Sequence, residues 1–194
     1  MAKNPASKTD ALKAPKPGKD GAVKEGRKPS PRGTLPQERF VPNFSPEDRD
    51  ALQTTLQSAL YDMVHLQLVT KQAHWNVVGP NFRSVHLFLD EVWEFVQEST
   101  DKAAERLNAL GMSPDGQGPE VVAHTRVKPI AQGFHRDLET IELMCERLHT
   151  TSQDLRDGLE PIEDVDTVTA DLLHGIIEGL EMYLWMARAH LVQP

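Results

Sequence analysis

Hydrophobic residues recur every three or four positions in four long segments of the chain, and this spacing gives an α-helix one apolar face. The first series begins at Leu52, the second at Phe82 and the fourth at Leu173. The third is the most regular and comprises Phe134, Leu138, Ile141, Cys145, Leu148, Ser152, Leu155 and Leu159. No segment convincingly predicts a strand. The pattern therefore predicts an all-α, four-helix bundle.

Local end signals predict where these helices start and stop. Ser45–Asp48 supplies an N-cap serine, a proline in the first turn and two acids, so we expect the first helix to start there. It should run to about Trp75, because Gly79-Pro80 breaks the pattern. The second helix is expected over about 81–110, with Gly111 as its C-cap.

The connection between the second and third helices is long and rich in Gly and Pro. It covers Met112–Lys128 and has room for a short helix near Pro119–Ala123. A connection of this length favours a crossover rather than a tight hairpin. We expect the bundle to occupy residues 45–194.

Residues 1–44 differ from the rest in composition and charge. They are rich in Lys, Pro, Gly, Ala and Ser and hold too few large apolar side chains to offset the entropy of ordering, so we predict a disordered arm. Residues 1–33 carry nine basic and three acidic side chains, a net charge of +6. Since the whole chain has a net charge of −8, the remainder carries −14, which favours attraction of cations.

The basic side chains of this arm are spread singly among small residues, as in a flexible polycation. They are Lys3, Lys8, Lys13, Lys16, Lys19, Lys24, Arg27, Lys28 and Arg32. No aromatic residue lies among them, so base stacking is not expected, and contacts with phosphates are. The arm is predicted to bind DNA without sequence specificity; the alternative is an arm that only adds solubility.

Two pairs of metal-binding side chains lie four residues apart on the second predicted helix. His86 and Asp90 form one pair, and Asp101 and Glu105 form the other. All four fall on one face that also carries apolar positions, so we expect this face to turn inward. Imidazole and carboxylate ligands suit iron, manganese or zinc better than copper(I). The alternative is that such pairs are simply solvated, as most are.

The spacing of these pairs excludes one shared site within a single chain. Their centres are fifteen residues apart, which is about 22 Å along a helix. Two chains related by a two-fold axis, with antiparallel second helices, would bring one chain's first pair beside the other chain's second pair. Two composite sites per dimer would result.

The remaining sequence features limit the cellular context. Cys145 is the only cysteine, so an intrachain disulfide is excluded, and a reducing compartment is compatible. We find no apolar signal-peptide core near the N-terminus and no apolar run of about eighteen residues. We therefore expect neither secretion nor a membrane span.

The metal-binding face lies within a dense motif. It reads Lys71-Gln72-Ala73-His74-Trp75-Asn76, then Gly79, Asn81-Phe82, Val85-His86, Asp90-Glu91 and Asp101, and ends with Ala104-Glu105-Arg106 and Leu110-Gly111. Over residues 71–111 this resembles the signature of the Dps family, and the helical layout agrees from residue 45 onward. The resemblance implies a ferritin-like bundle and a cytoplasmic, nucleoid-associated protein.

The resemblance also implies a site and an activity. In that family His74, His86 and Asp90 would come from one chain and Asp101 and Glu105 from its two-fold neighbour, forming a ferroxidase centre. Iron(II) would be oxidised by hydrogen peroxide, or less efficiently by oxygen, and stored in a hollow dodecamer. Trp75 would relay electrons near the iron; the alternative is interface packing.

Acids near the junction of the third and fourth helices would line negative pores by the same resemblance, with Asp157, Asp166 and Asp171 as candidates. Two other functions stay open at this point. One is an architectural protein that compacts DNA and has a vestigial metal centre. The other is an iron-storage shell whose arm does not bind DNA.

Overall fold

The computed structural model describes residues 40–192, and the helices follow the predicted apolar series closely. Helix α1 spans Pro46–Asn76, α2 spans Phe82–Ala109, α3 spans Gly118–His124, α4 spans Asp137–Asp157 and α5 spans Thr167–Ala189. Helix α3 is the short helix expected in the long connection. The fold is therefore the predicted all-α bundle, in which α1 packs mainly on α2 and α4 mainly on α5.

The core is built from the apolar faces that the periodicity singled out. Its largest fully buried side chains include Leu52, Leu56, Met63, Leu66, Leu89, Leu107, Ile141, Met144, Leu148 and Leu173. Removing these surfaces from water is the main force that holds the four long helices together. Among residues 40–192, no helix is long and apolar enough to span a membrane.

The end signals of the first two helices work as predicted. The side-chain oxygen of Ser45 accepts a hydrogen bond from the Asp48 backbone N–H at 3.1 Å. Gly111 has a φ of +72°, in the left-handed region that glycine adopts at helix C-termini. Arg49 donates to the carbonyl oxygens of Leu110 and Gly111, at 3.1 and 2.9 Å, and so ties the start of α1 to the end of α2.

The structure corrects two predictions about the segment before α4. The apolar series suggested that a helix includes Phe134, yet α4 begins at Asp137 and Phe134 is 78% exposed. The prediction that no strand exists is also wrong, because Val77–Val78 (β1) pairs in parallel with His135–Arg136 (β2). Two-residue strands are too short to give a periodic signal, and this pairing holds the backbone extended just before α4.

A buried carboxylate fastens the segment after α3 to α1. Asp62 is 1% exposed and accepts hydrogen bonds from the backbone N–H of Arg126 at 2.7 Å and from the guanidinium of Arg126 at 2.6 Å. Asp154 of α4 lies 3.5 Å from the same guanidinium. A charge buried to this degree is tolerated only when it is paired and hydrogen-bonded, as it is here.

Candidate metal centre

Three potential metal ligands meet where α1 turns into α2. His74 lies in the last turn of α1, and His86 and Asp90 lie in the first turns of α2. Each offers one ligand atom, and these atoms all lie within 4.8 Å of one another. Within residues 40–192 this is the only group of three or more such side chains with that spacing.

The two histidines hold each other in place through their backbones. His74 Nδ1 lies 3.0 Å from the carbonyl oxygen of His86, and His86 Nδ1 lies 3.0 Å from the carbonyl oxygen of His74. Because a carbonyl oxygen only accepts, both Nδ1 atoms must carry the hydrogen. In the neutral rings, both Nε2 lone pairs are then free for a metal ion, and the hydrogen bonds fix the ring orientations. The rings stack with centroids 3.6 Å apart.

Asp90 is bound by a lysine that sequence reasoning did not single out. Lys71 Nζ lies 2.7 Å from Asp90 Oδ1, and His74 Nδ1 lies 3.3 Å from the same oxygen. The hydrogen bond from Lys71 lowers the pKa of Asp90, against the opposing effect of burial. The contact with Lys71 therefore favours the anionic form of the carboxylate. The sequence signal that could have identified Lys71 is its position, because it precedes His74 by one helical turn.

The second predicted pair lies apart from this cluster. Asp101 and Glu105 are on the C-terminal half of α2, and both are exposed. Since α2 is continuous from Phe82 to Ala109, the distance between the centres of the two pairs is about 22 Å, as the sequence implied.

The expectation that all four side chains turn inward is wrong. His86 and Asp90 are half-buried, whereas Asp101 and Glu105 face outward. The reason is that the buried stripe of α2 is filled by other residues, chiefly Val85, Leu89, Val92, Val96, Ala103 and Leu107. The carboxylates lie beside that stripe rather than on it.

An open acidic groove of about 570 Å³ lies beside Asp101 on this outward face. It is lined by Gln67, Glu94, Gln97, Glu98, Thr100, Asp101 and Ala104. Gln67 donates to the hydroxyl of Thr100 at 2.6 Å, and this hydrogen bond between two lining residues links α1 to α2. Trp75, next to His74, is 68% exposed. Exposed carboxylates therefore line this groove, and an exposed aromatic ring lies beside His74.

The three candidate pore acids lie at the end of α4 and the start of α5. Asp157 and Asp171 are exposed. Asp166 is half-buried and binds the guanidinium of Arg106 and the hydroxyl of Thr169. Burial alone would raise the pKa of Asp166, but these hydrogen bonds outweigh it and leave the pKa lowered. The assignment of these acids to a pore stays a prediction.

The predicted DNA-binding residues of the arm lie outside the described residues. This applies to all nine basic side chains between Lys3 and Arg32. Of the segment that was expected to be disordered, residues 40–44 are described, and Phe44 packs against the core.

Comparisons with known proteins agree with this arrangement of helices. A family profile described as "Ferritin-like domain" matches residues 53–193. DNA protection during starvation protein from Mycolicibacterium smegmatis is 34% identical over 155 residues, which cover 78% of this chain and 82% of that protein. The chain belongs to the Dps family of ferritin-like proteins.

Other Dps proteins show the same likeness. DNA protection during starvation protein 2 from Deinococcus radiodurans is 34% identical over 151 residues, covering 78% of this chain but only 63% of that longer relative. The solved structure of Dps from Microbacterium arborescens in the high iron form has a TM-score of 0.72 at 31% identity, and the match covers 77% of this chain and 97% of that one. The Dps fold thus accounts for most of residues 40–192.

Proposed function

We propose that this Dps-family protein is a ferroxidase that stores iron and protects DNA. It binds iron(II) at centres shared between two subunits, oxidises it with hydrogen peroxide or, less efficiently, oxygen, and keeps the iron(III) inside a hollow homo-oligomer. The observation that carries the proposal is the convergence of His74, His86 and Asp90, whose ligand atoms lie within 4.8 Å of one another.

The chemistry of these ligands supports iron(II) as the substrate. Two imidazole nitrogens and one carboxylate leave coordination positions open for a second carboxylate and for the oxidant. Zinc or manganese could occupy the same ligands, and we treat them as competitors. The high iron form named for the Microbacterium arborescens relative supports the choice of iron.

A second subunit completes the centre in this proposal. Asp101 and Glu105 are exposed and about 22 Å along α2 from the cluster, so they serve a neighbouring chain rather than their own. Antiparallel packing of two α2 helices about a two-fold axis gives two equivalent centres, each with ligands from both chains. A dodecameric shell, as implied by the family, encloses the product.

The reaction balances with two protons from the medium as the only further reactant. Each of two iron(II) ions gives up one electron, and the two electrons cleave the O–O bond of one hydrogen peroxide. Each oxygen atom keeps one of the peroxide's own protons and takes up one more from the medium, so two waters leave. The carboxylates hold the ions close together, and the iron(III) then passes to the mineral. Both reagents of radical-forming iron chemistry are consumed.

Protection of DNA is the second part of the proposal. The relatives from Mycolicibacterium smegmatis and Deinococcus radiodurans are named for DNA protection. The net charge of +6 on residues 1–33 suits binding to phosphates. Many arms on one shell would add avidity to weak single contacts. The competing function is DNA compaction by a protein whose metal centre is inactive. The observation that favours this alternative is the ion pair between Lys71 and Asp90, which already neutralises the carboxylate.

The decisive test is stopped-flow oxidation of iron(II) by hydrogen peroxide in the purified assembly. We expect rapid oxidation by the parent and a loss of at least about a hundredfold in the His86→Ala/Asp90→Ala variant. A His124→Ala/Glu120→Ala variant is the control, because this pair has the same i, i+4 spacing on exposed positions of α3. If the parent oxidised iron(II) no faster than the His86→Ala/Asp90→Ala variant, the proposed ferroxidase activity would be refuted and DNA compaction favoured.

A further inference from the structure

A carboxylate from α4 lies directly against the turn that joins the two ligand-bearing helices. Asp137 is 4% exposed, and its Oδ2 accepts a hydrogen bond from the Asn81 backbone N–H at 2.6 Å. Gly79 makes this approach possible. A Cβ at Gly79 would lie 2.7 Å from Asp137 Cγ, and the φ of +140° is one that other residues rarely adopt.

Asp137 serves two helix N-termini at once. Its Oδ1 accepts from the Leu138 N–H at 3.0 Å at the start of α4, while its Oδ2 binds the N-cap residue of α2. Helix α2 has no other anion there, because Asn81 makes no side-chain cap bond and the first turn of α2 contains no acid. A buried negative charge between two helix N-termini is favourable. Asp137 therefore supplies the N-terminal capping anion that the residues of α2 do not provide themselves.

The turn held by Asp137 decides how the histidines meet. His74 is three residues before β1 and His86 is five residues after Asn81. Their reciprocal Nδ1–carbonyl contacts of 3.0 Å require α1 and α2 to keep one relative position at this end. The β1–β2 pairing, in which Val77 is opposite His135, brings the segment before Asp137 against the same turn.

We infer that Asp137 is a positioning residue for the metal centre, fixing the α1–α2 turn so that His74 and His86 present their Nε2 atoms to one ion. The inference rests on the proposed function. It goes beyond the ligand set, because Asp137 is on a different helix and donates nothing to the metal. Removing a residue that orients a metal ligand without binding the metal typically weakens metal affinity by about 10–100-fold.

Anaerobic cobalt(II) titration of the purified full-length assembly tests this inference, with calorimetry for affinity and visible absorption for coordination. Asp137→Ala is expected to bind cobalt(II) at least about tenfold more weakly and to change the visible spectrum. Asp137→Asn keeps one oxygen acceptor for the Asn81 N–H but loses the charge and the second acceptor, so its affinity should lie between those of Asp137→Ala and the parent. Gly79→Ala, which pushes the carboxylate away from the turn, should resemble Asp137→Ala.

The matched control is Asp62→Asn. Asp62 is equally buried and also accepts from a backbone N–H, but it anchors the segment after α3. It should lose thermal stability and keep cobalt(II) affinity within about twofold, because its contacts are made with Arg126 after α3 and not with the α1–α2 turn.

Several results would overturn the inference. These are parent-like affinity and spectrum in Asp137→Ala, an Asn variant that binds no better than the Ala variant, or equal weakening in Asp62→Asn. If Asp137→Ala yields no folded assembly, parent-like binding by Gly79→Ala overturns it instead. Failure of the parent itself to bind cobalt(II) would refute the proposed function, so the two failures are distinguishable.

Discussion

The amine of Lys71 lies 2.7 Å from Asp90 Oδ1 and 4.4 Å from the ring centroid of Trp93. The lysine is therefore held between an anion and an aromatic face, one helical turn before His74. The carboxylate that we propose as an iron ligand is thus paired with an internal cation. Any metal ion that uses this oxygen must compete with the amine or displace it.

Removing this internal cation should strengthen metal binding. We expect Lys71→Met to bind cobalt(II) or zinc(II) about tenfold more tightly than the parent, equivalent to about 1.4 kcal/mol. The reason is that the metal no longer competes for Asp90 and no longer meets a positive charge nearby. Calorimetry measures the change. Lys128→Met is the control, since Lys128 is an exposed lysine between α3 and α4 and is adjacent to none of the proposed ligands in the sequence. Weaker binding by Lys71→Met would show that the lysine instead holds Asp90 in place.

Complementation between two inactive variants tests the shared centre. One variant is His86→Ala/Asp90→Ala and the other is Asp101→Ala/Glu105→Ala. In a mixed dimer one centre loses four of its five ligands, while the other keeps every ligand. Random co-assembly should therefore restore about a quarter of the parental oxidation rate, because half of the dimers are mixed and each has one intact centre. Rates from co-expressed chains that equal those of the separate variants would mean that each chain makes its own centre.

Removal of the arm should separate DNA binding from iron oxidation. A variant lacking residues 1–39 is expected to oxidise iron at the parental rate and to lose gel retardation of DNA, because the net positive charge lies in residues 1–33. Retardation by the parent should weaken steeply between about 50 and 200 mM salt, as counterion release requires. Two results would contradict DNA binding through contacts between the arm and the phosphates. One is gel retardation by the shortened protein, and the other is retardation by the parent that does not change with salt.

The ring of His135 should make stability depend on pH. Its Nε2 lies 2.9 Å from the Ala131 carbonyl oxygen and its Nδ1 lies 3.2 Å from Glu139, so only the doubly protonated ring donates to both. The hydrogen bond to the Ala131 carbonyl oxygen has the largest effect and that to Glu139 the next, and together they raise the pKa of His135 above its ordinary 6.5. The stabilisation is complete below about pH 6.5 and is lost as the pH rises through the folded-state pKa.

The matching measurement is urea unfolding of the parent and of His135→Gln. The variant should be less stable than the parent near about pH 5.5, and the difference should shrink toward about pH 9. A difference that is constant over this range would mean that the charge on His135 does not contribute.

Close packing between α2 and α5 makes Gly179 sensitive to substitution. A Cβ at Gly179 would overlap the ring of Phe95, whereas a Cβ at Gly175, one turn earlier on α5, would meet nothing within 4 Å. Gly179→Ala should therefore destabilise the fold by about 1–3 kcal/mol through overpacking. Gly175→Ala should stabilise it by up to about 1 kcal/mol, because alanine favours the helix. Urea unfolding measures both, and equal effects would refute the packing argument.

Most of the fold could be predicted from local spacing, because a helix is decided by residues three and four positions apart. The apolar series gave the four long helices, and Ser45 and Gly111 gave ends that the structure confirms. Phe134 misled the prediction of α4 because it continues the series although the backbone there is extended. Periodicity alone does not register a competing pairing with a distant strand.

The sequence by itself determined the two pairs of candidate ligands on the second helix and excluded a single intrachain site, since both follow from spacing along that helix. His74, on the first helix, came from the resemblance to the family motif instead. Only the tertiary structure decided which groups support these ligands. Lys71 meets Asp90 nineteen residues away, and Asp137 meets Asn81 across fifty-six residues. The physical reason is that such contacts depend on how separate helices pack, and helix packing is set by many apolar contacts at once rather than by any local pattern.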